Sequence, residues 1–227
     1  MYQTNVNGIH HELGTSGFLY RSNQLMYDHA TKSMWSTLQG KPVIGALVDK
    51  GIELKRLHLV TTTWGQWKKN HPDTTVLSVN TGHSRDYGEG VAYRDYFGTD
   101  ELMFTVPKLD KRLKNKDEVV ALRDNKQQMA LAAKFLIKNP VYHQRLGEKN
   151  FVVLTDKSGA NRVFYSDDVK FKSWDNRSTA IDEKGRKWIV GESELKLDDK
   201  TTLKRMPSHR AFWFGWYAQY PDTKLIK

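Results

Sequence analysis

Trp64-Gly65-Gln66-Trp67, followed after four residues by Pro72-Asp73-Thr74-Thr75-Val76-Leu77, returns 149 residues later as Trp213-Phe214-Gly215-Trp216 and Pro221-Asp222-Thr223-Lys224-Leu225-Ile226. No gap separates the two spacings, and chance agreement of a W-x-x-W-x4-P-D-T string is very rare. Each tryptophan pair stands three residues apart, the separation that puts both rings on one face of a helix. The prolines end the helices, because the residue before a proline disfavours helical backbone. Short helices are therefore expected over Trp64–Asn70 and Arg210–Gln219.

The similarity extends upstream. Leu54-Lys55-Arg56-Leu57 and Leu203-Lys204-Arg205-Met206 keep the same offset of 149, and Asp28 with Trp35 is echoed by Asp182 with Trp188. A fixed-period recurrence is the mark of a unit built more than once. The expected architecture is α+β: two related, mostly antiparallel β units with short Trp-bearing helices, the first unit truncated. The expected organisation is a first unit over 1–80, a connection over 81–116 and a second unit over 117–227. By the offset, the start of the first unit would fall about 33 residues ahead of Met1, since repeated units share their elements. A truncated unit leaves a bare sheet edge, so a partner segment is expected to cover it. Packing through the helices leads to an expected cost of about 3–5 kcal/mol for Trp64→Ala or Trp213→Ala.

Strand character is clearest in the second unit. Alternating or β-branched runs occur at Lys149–Thr155, Arg162–Ser166, Val169–Trp174, Lys187–Val190 and Glu194–Leu197. Asp156-Lys157-Ser158-Gly159 and Asp182-Glu183-Lys184-Gly185 supply turn residues between them. The run Gln127–Lys138 has the highest helix propensity in the chain. It is read as helix over at least Ala132–Lys138, ended by Asn139-Pro140, with a strand followed by a shorter helix as the competing reading.

Composition removes several kinds of chemistry. The 227 residues contain no cysteine, which excludes disulfides, thiolate metal sites and a cysteine nucleophile. The longest apolar stretches, such as Phe151-Val152-Val153-Leu154, are far shorter than the roughly 20 residues of a spanning helix. The N-terminal residues lack the basic start and apolar run of a signal peptide. A formal net charge of +10 invites a nucleic-acid reading. The basic residues are nevertheless dispersed among acids, and the one cluster, Lys108, Lys111, Arg112, Lys114 and Lys116, reads as a solvated connection, so nucleic acid is not expected as a partner. Eight histidines show no ligand spacing, and no metal or cofactor is called. Phosphate-binding loops, nucleophile elbows and dinucleotide fingerprints are absent.

Two places remain as ligand-binding candidates. Asp28 precedes Thr31, Lys32 and Ser33, a turn or capping arrangement, or alternatively a ligand or base beneath the Trp35 ring. The stretch Thr81–Gly98 carries four glycines and two Arg-Asp-Tyr triplets, and reads as a long loop without a counterpart in the second unit. Long ordered loops are disproportionately functional. Within it Arg85 is suited to clamp a carboxylate or phosphate, Asp86 to orient it or take a proton, and Tyr87 or Tyr93 to stack on a ligand, with His83 beside them. The bland alternative is an Arg–Asp pair pinning the connection. The functional expectation is a non-catalytic ligand-binding or interaction module taking a small ligand or protein partner. A hydrolase or metal-assisted acid/base enzyme, with its site at the loop and Asp28, is the alternative.

Gly14-Thr15-Ser16-Gly17-Phe18-Leu19-Tyr20-Arg21-Ser22-Asn23-Gln24-Leu25-Met26-Tyr27-Asp28, Thr31–Gly40 and Thr81-Gly82-His83-Ser84-Arg85-Asp86-Tyr87-Gly88 together resemble the domain-of-unknown-function family numbered 3179. The likeness is close over most of residues 8–120 and looser over Phe212–Thr223. It implies a bacterial or archaeal protein, often exported to the periplasm or cell envelope, and brings no established activity. Members of that family usually have a Cys-Pro-Leu-Cys-like segment ahead of the part matching Tyr2, which this sequence does not contain, and often Tyr where it has His83.

Overall fold

The computed structural model of the chain describes residues 1–124 and 127–227. The first half forms β1 (Tyr2–Gln3), β2 (Asn5–Val6), β3 (Ile9–His10), β4 (Leu13–Tyr20), β5 (Asn23–Asp28), β6 (Met34–Ser36), β7 (Lys41–Ile44) and β8 (Lys55–Arg56), followed by α1 (Trp64–Asn70) and α2 (Arg94–Gly98). The second half begins with β9 (Glu118–Arg123), β10 (Gln128–Ala132), α3 (Ala133–Lys138), β11 (Val141–Leu146), β12 (Lys149–Thr155) and β13 (Asn161–Tyr165). It continues through β14 (Phe171–Trp174), β15 (Thr179–Asp182), β16 (Lys187–Val190), β17 (Glu194–Lys196), β18 (Thr202–Lys204), β19 (Ser208–Phe212), α4 (Trp213–Gln219) and β20 (Lys224–Ile226). The protein is thus β-rich, with few and short helices.

Hairpin chemistry sets most of the topology. Strands β4-β5-β6-β7 and β14-β15-β16-β17-β18 are antiparallel meanders, and β11-β12-β13 is a third. Between β12 and β13, Asp156 Oδ1 accepts from the backbone N–H groups of Ser158 at 2.9 Å and Ala160 at 3.1 Å, while Gly159 takes φ +82°. That left-handed backbone is the one a glycine adopts without steric cost. The remaining large sheet, ordered β19-β9-β10-β20, pairs β10 with β20 in parallel and is otherwise antiparallel.

Several expectations change at their edges. Residues 210–212 belong to β19, so the second Trp helix starts at Trp213; its first three expected residues pair with β9 instead. The Gln128–Lys138 stretch follows the competing reading, a strand and then a six-residue helix. Packing overrides propensity there, because Met129 and Leu131 enter the core beside Val120 and Leu122. Residues 81–98 are not wholly loop, since α2 occupies the last five. It is held by Phe97, whose ring lies 6.2 Å from Phe212, and by Lys116, whose ammonium donates to the carbonyls of Tyr96 and Thr99.

The two Trp helices share local geometry and differ in their surroundings. In α1 the Trp67 Nε1–H donates to Thr74 Oγ1 at 3.0 Å, and in α4 Trp216 Nε1–H donates to Thr223 Oγ1 at 2.9 Å. The ring of the residue after each helix packs tilted against the second tryptophan, His71 on Trp67 at 4.0 Å and Tyr220 on Trp216 at 4.4 Å. Yet Trp213 and Trp216 are fully buried, whereas Trp64 is 47% and Trp67 36% exposed. The reason lies in the neighbours. Helix α4 packs with Val119 and Ala121 of β9, Ala130 of β10 and Leu38 from the first half. Residues 59–63 and 75–77, which flank α1 as β19 and β20 flank α4, have no strand partner among the described residues. The expectation that both helices bury their tryptophans is corrected for α1.

The Asp/Trp pairs also occupy like positions, at the end of one meander strand and within the next. Asp182 accepts Trp188 Nε1–H at 3.0 Å, the Arg186 backbone N–H at 2.9 Å and Arg186 Nε–H at 2.7 Å. Burial pushes the Asp182 carboxyl up, and these donors more than reverse it, leaving it below the ordinary carboxylate value.

Two outcomes follow from this packing. In urea melts, Trp213→Ala is expected to lose about 3–5 kcal/mol as a buried cavity forms, and Trp64→Ala less than about 1 kcal/mol, as for a half-exposed residue. Equal losses would contradict the assignment. Because the folded pKa of Asp182 is depressed, its stabilisation is present above the unfolded value of about 3.9 and is lost as pH falls through the folded one. Asp182→Asn should therefore be less stable at neutral pH and lose stability less steeply below about pH 4, a difference that acid titration of Trp fluorescence would show.

Candidate functional site

Asp28 ends β5 with its carboxylate fully buried. Oδ2 lies 2.9 Å from His11 Nδ1 and accepts from Thr31 Oγ1 at 2.8 Å, and Oδ1 accepts the Ala30 N–H at 3.1 Å. Burial pushes this carboxyl up, but the hydrogen bonds of His11, Thr31 and Ala30 outweigh it and hold the pKa below the ordinary value. The His11 ring packs 5.3 Å from Trp35, whose buried Nε1 has no hydrogen-bond partner among the described residues. His11 thus occupies the carboxylate that in the second half receives Trp188. Asp28 is a saturated, enclosed acceptor, the turn arrangement rather than a base open to a ligand.

The loop residues lie elsewhere. His83, Arg85, Asp86, Tyr87 and Tyr93 are all exposed, and none forms a hydrogen bond, ion pair or ring contact with Asp28 or Trp35 among the described residues. Asp86 Oδ1 accepts the Gly88 N–H at 2.8 Å and makes no ion pair with Arg85; Tyr87 Oη is 2.9 Å from Thr81 Oγ1. Tyr93 sits at φ +57°, in the left-handed region, ahead of α2. It borders a shallow hollow of about 490 Å³ together with Arg94, Asp95, Tyr96 and Glu101. The loop and Asp28 therefore do not converge.

A different concavity lies where the two halves meet. A cleft of about 230 Å³ is walled by Tyr2 and Arg56 of the paired β1 and β8, Leu57 and Leu59 beyond them, Ala121 and Arg123 of β9, and Ser208, His209 and Arg210 of β19. Arg56 donates to the Arg123 carbonyl, and Arg123 in turn donates to the Gln39 carbonyl and pairs with Glu53 at 3.1 Å. Tyr2 Oη–H donates to the Leu38 carbonyl at 2.8 Å. Burial drives His209 down to about 4, with nearby positive charges including Arg123 and Arg56 adding to it, so the ring is neutral at physiological pH. Behind the wall, burial pushes the Tyr220 hydroxyl up to about 12 and the Arg123 guanidinium lies 5.7 Å from its ring. Among the described residues, Arg123 Nε, His209 Nε2 and Tyr220 Oη are buried without a hydrogen-bond partner. Sequence reading saw Arg56 and Arg205 only as repeated residues; that Arg56 walls a cleft depends on β9 and β19 arriving from far along the chain.

The basic cluster of 108–116 packs onto α4. Arg112 pairs with Asp110 at 2.9 Å and lies 5.3 Å over Trp213 and 5.6 Å over Tyr217. Among the described residues no group of three or more His, Asp or Glu side chains is placed to hold a metal ion, and no helix is long and apolar enough to cross a membrane.

No curated protein and no solved structure matches the chain. The family described as "Protein of unknown function (DUF3179)" matches it over residues 1–223, nearly its whole length. The chain belongs to that family.

Proposed function

We propose that this protein is a non-catalytic interaction module made of two related β units, and that the first unit docks a polypeptide hairpin against α1. The observation carrying the reading is the α1 tryptophan pair: Trp67 makes the same hydrogen bond as Trp216, yet both Trp64 and Trp67 are half-exposed where Trp213 and Trp216 are buried. In the second unit the corresponding face is closed by β9 and β10, an apolar hairpin inserted between β19 and β20. The flanks of α1 at 59–63 and 75–77 stand in sequence where β19 and β20 stand around α4, and apart from the Leu59 carbonyl, which accepts from Arg205, they have no strand pairing among the described residues, which leaves room for a hairpin of that kind. Adding strands to an open edge gives main-chain hydrogen bonds for affinity and side-chain pockets for specificity.

Apolar exposure at the same place supports docking. Val76 is 71%, Leu77 94% and Val79 70% exposed, alongside the two indoles. Contiguous exposed apolar surface marks an interaction site more often than scattered single residues do. Lys68 and Lys69 at the end of α1 favour a hairpin with acidic residues at its start, as Asp117 and Glu118 stand at the start of β9. The catalytic alternative has less support, because Asp28 has no free oxygen for a substrate.

A synthetic hairpin spanning residues 117–132 is the direct probe. It should shift Trp emission to the blue in a saturable way, and a Trp64→Ala/Trp67→Ala double variant should lose that shift while melting within about 1 kcal/mol of the parent. An unaltered shift in the double variant, or none in the parent, would count against docking at α1.

A further inference from the structure

We propose that the cleft between the two halves is a binding site for a small oxyanion, a carboxylate or a phosphate, held chiefly by Arg56. The inference is independent of the hairpin reading: it rests on Arg56, Arg123 and His209, none of which flanks α1.

Charge accounting inside the fold is the first argument. Several buried or half-buried guanidinium groups in this protein are matched by carboxylates, Arg162 by Asp156 at 3.2 Å and Glu192 at 2.7 Å, Arg205 by Glu192 at 3.6 Å, and Arg210 by Glu118 at 2.7 Å, whereas half-buried Arg21 donates to the Ala218 carbonyl. Arg123 has Glu53 at 3.1 Å, a carboxylate it shares with Lys41. Arg56 is half-buried and has, among the described residues, only the Arg123 carbonyl as a hydrogen-bond partner. The contrast with Arg205 is direct, since the two stand in the same position of the recurrent Leu-Lys-Arg string. The nearby carboxylate, Glu53, is already paired with Arg123 and Lys41, so Arg56 shares its counter-charge with two other cations, and an anion entering the cleft relieves that deficit.

The second argument is the set of donors around it. Arg56 keeps a guanidinium edge for a bidentate contact, the geometry in which planar oxyanions are best held. Arg123 and His209 face the same cleft and carry buried nitrogen atoms without a partner. Such atoms are rare in native interiors and call for a partner. Burial, and then the charge of Arg123, lowers the Arg56 pKa, and the charge of Glu53 only partly offsets them.

Size fixes the class of ligand. A cleft of about 230 Å³ is below the roughly 300–1,000 Å³ typical of drug-sized or cofactor sites, so it suits a small anion rather than a nucleotide. Apolar Leu57, Leu59 and Ala121 on its walls exclude water and strengthen the charge contact.

The test is an NMR titration that follows arginine Nε–Hε signals of the full chain with sodium phosphate and with sodium acetate, against sodium chloride at matched ionic strength. Saturable shifts at Arg56 and Arg123, absent with chloride, are expected; whichever anion saturates at the lower concentration identifies the ligand as phosphate or carboxylate. Arg56→Gln should weaken binding at least tenfold, Arg56→Lys less, and the exposed Arg177→Gln not at all. Linear shifts equal to those with chloride, or unchanged affinity in Arg56→Gln, would overturn the proposal. Should Arg56→Gln not fold, the wild-type titration decides alone: shifts at Arg177 that match those at Arg56 would overturn it as surface screening.

Discussion

The sheet β19-β9-β10-β20 lies against α4, and the rest of the molecule is arranged around that contact. Its two indoles are fully buried, each with its N–H satisfied: Trp216 by the Thr223 hydroxyl and Trp213 by the Asp110 carbonyl at 3.1 Å. An indole carries a large apolar area and one donor, so burial succeeds only when the donor finds an acceptor. The first half then fastens to the same helix from the other side. Arg21 donates to the Ala218 carbonyl at 2.8 Å, Gln219 to the Tyr20 carbonyl at 3.2 Å, and Leu38 joins the aromatic cluster. One helix of seven residues is thereby one of the places where the halves are joined, beside the contacts of Arg56, Arg123 and Arg205.

Local signals in the sequence were reliable wherever the structure is decided locally. Trp64–Asn70, Lys149–Thr155 and Lys187–Val190 have the boundaries that proline punctuation and β-branched runs indicate. The Asp182–Gly185 turn is equally plain, because Asp182 itself accepts the Arg186 N–H that closes it. Where partners from distant parts of the chain decide, local reading fell short. Residues 128–132 have helical composition but lie between two strands that claim them, and residues 210–212 are drawn out of a helix by β9. The exposure of Trp64 was hidden for the same reason, since it depends on what lies beside the helix and not on the helix.

The candidate sites divide in the same way. Asp28 was legible as an architectural residue from its recurrence as Asp182, and its oxygens are engaged accordingly. The glycine-rich loop was conspicuous in composition, yet its charged residues stand in solvent and Asp86 closes its own turn. Arg56, Arg123 and His209 carry no motif. They meet only because β8, β9 and β19 converge, so the cleft is a product of tertiary structure. Unmatched charge within a wall proved a more useful guide there than residue type.

The parallel pairing of β10 with β20 bears on how the chain reaches this state. Met129 lies opposite Lys224 and Leu131 opposite Ile226, so the sheet acquires this edge only when β20 is in place. Closing so wide a loop carries a substantial entropic cost and places the protein among slow-folding, high-contact-order topologies. During synthesis the apolar edge of β10 stays bare until β20 has left the ribosome, which makes the nascent chain a natural client for chaperones.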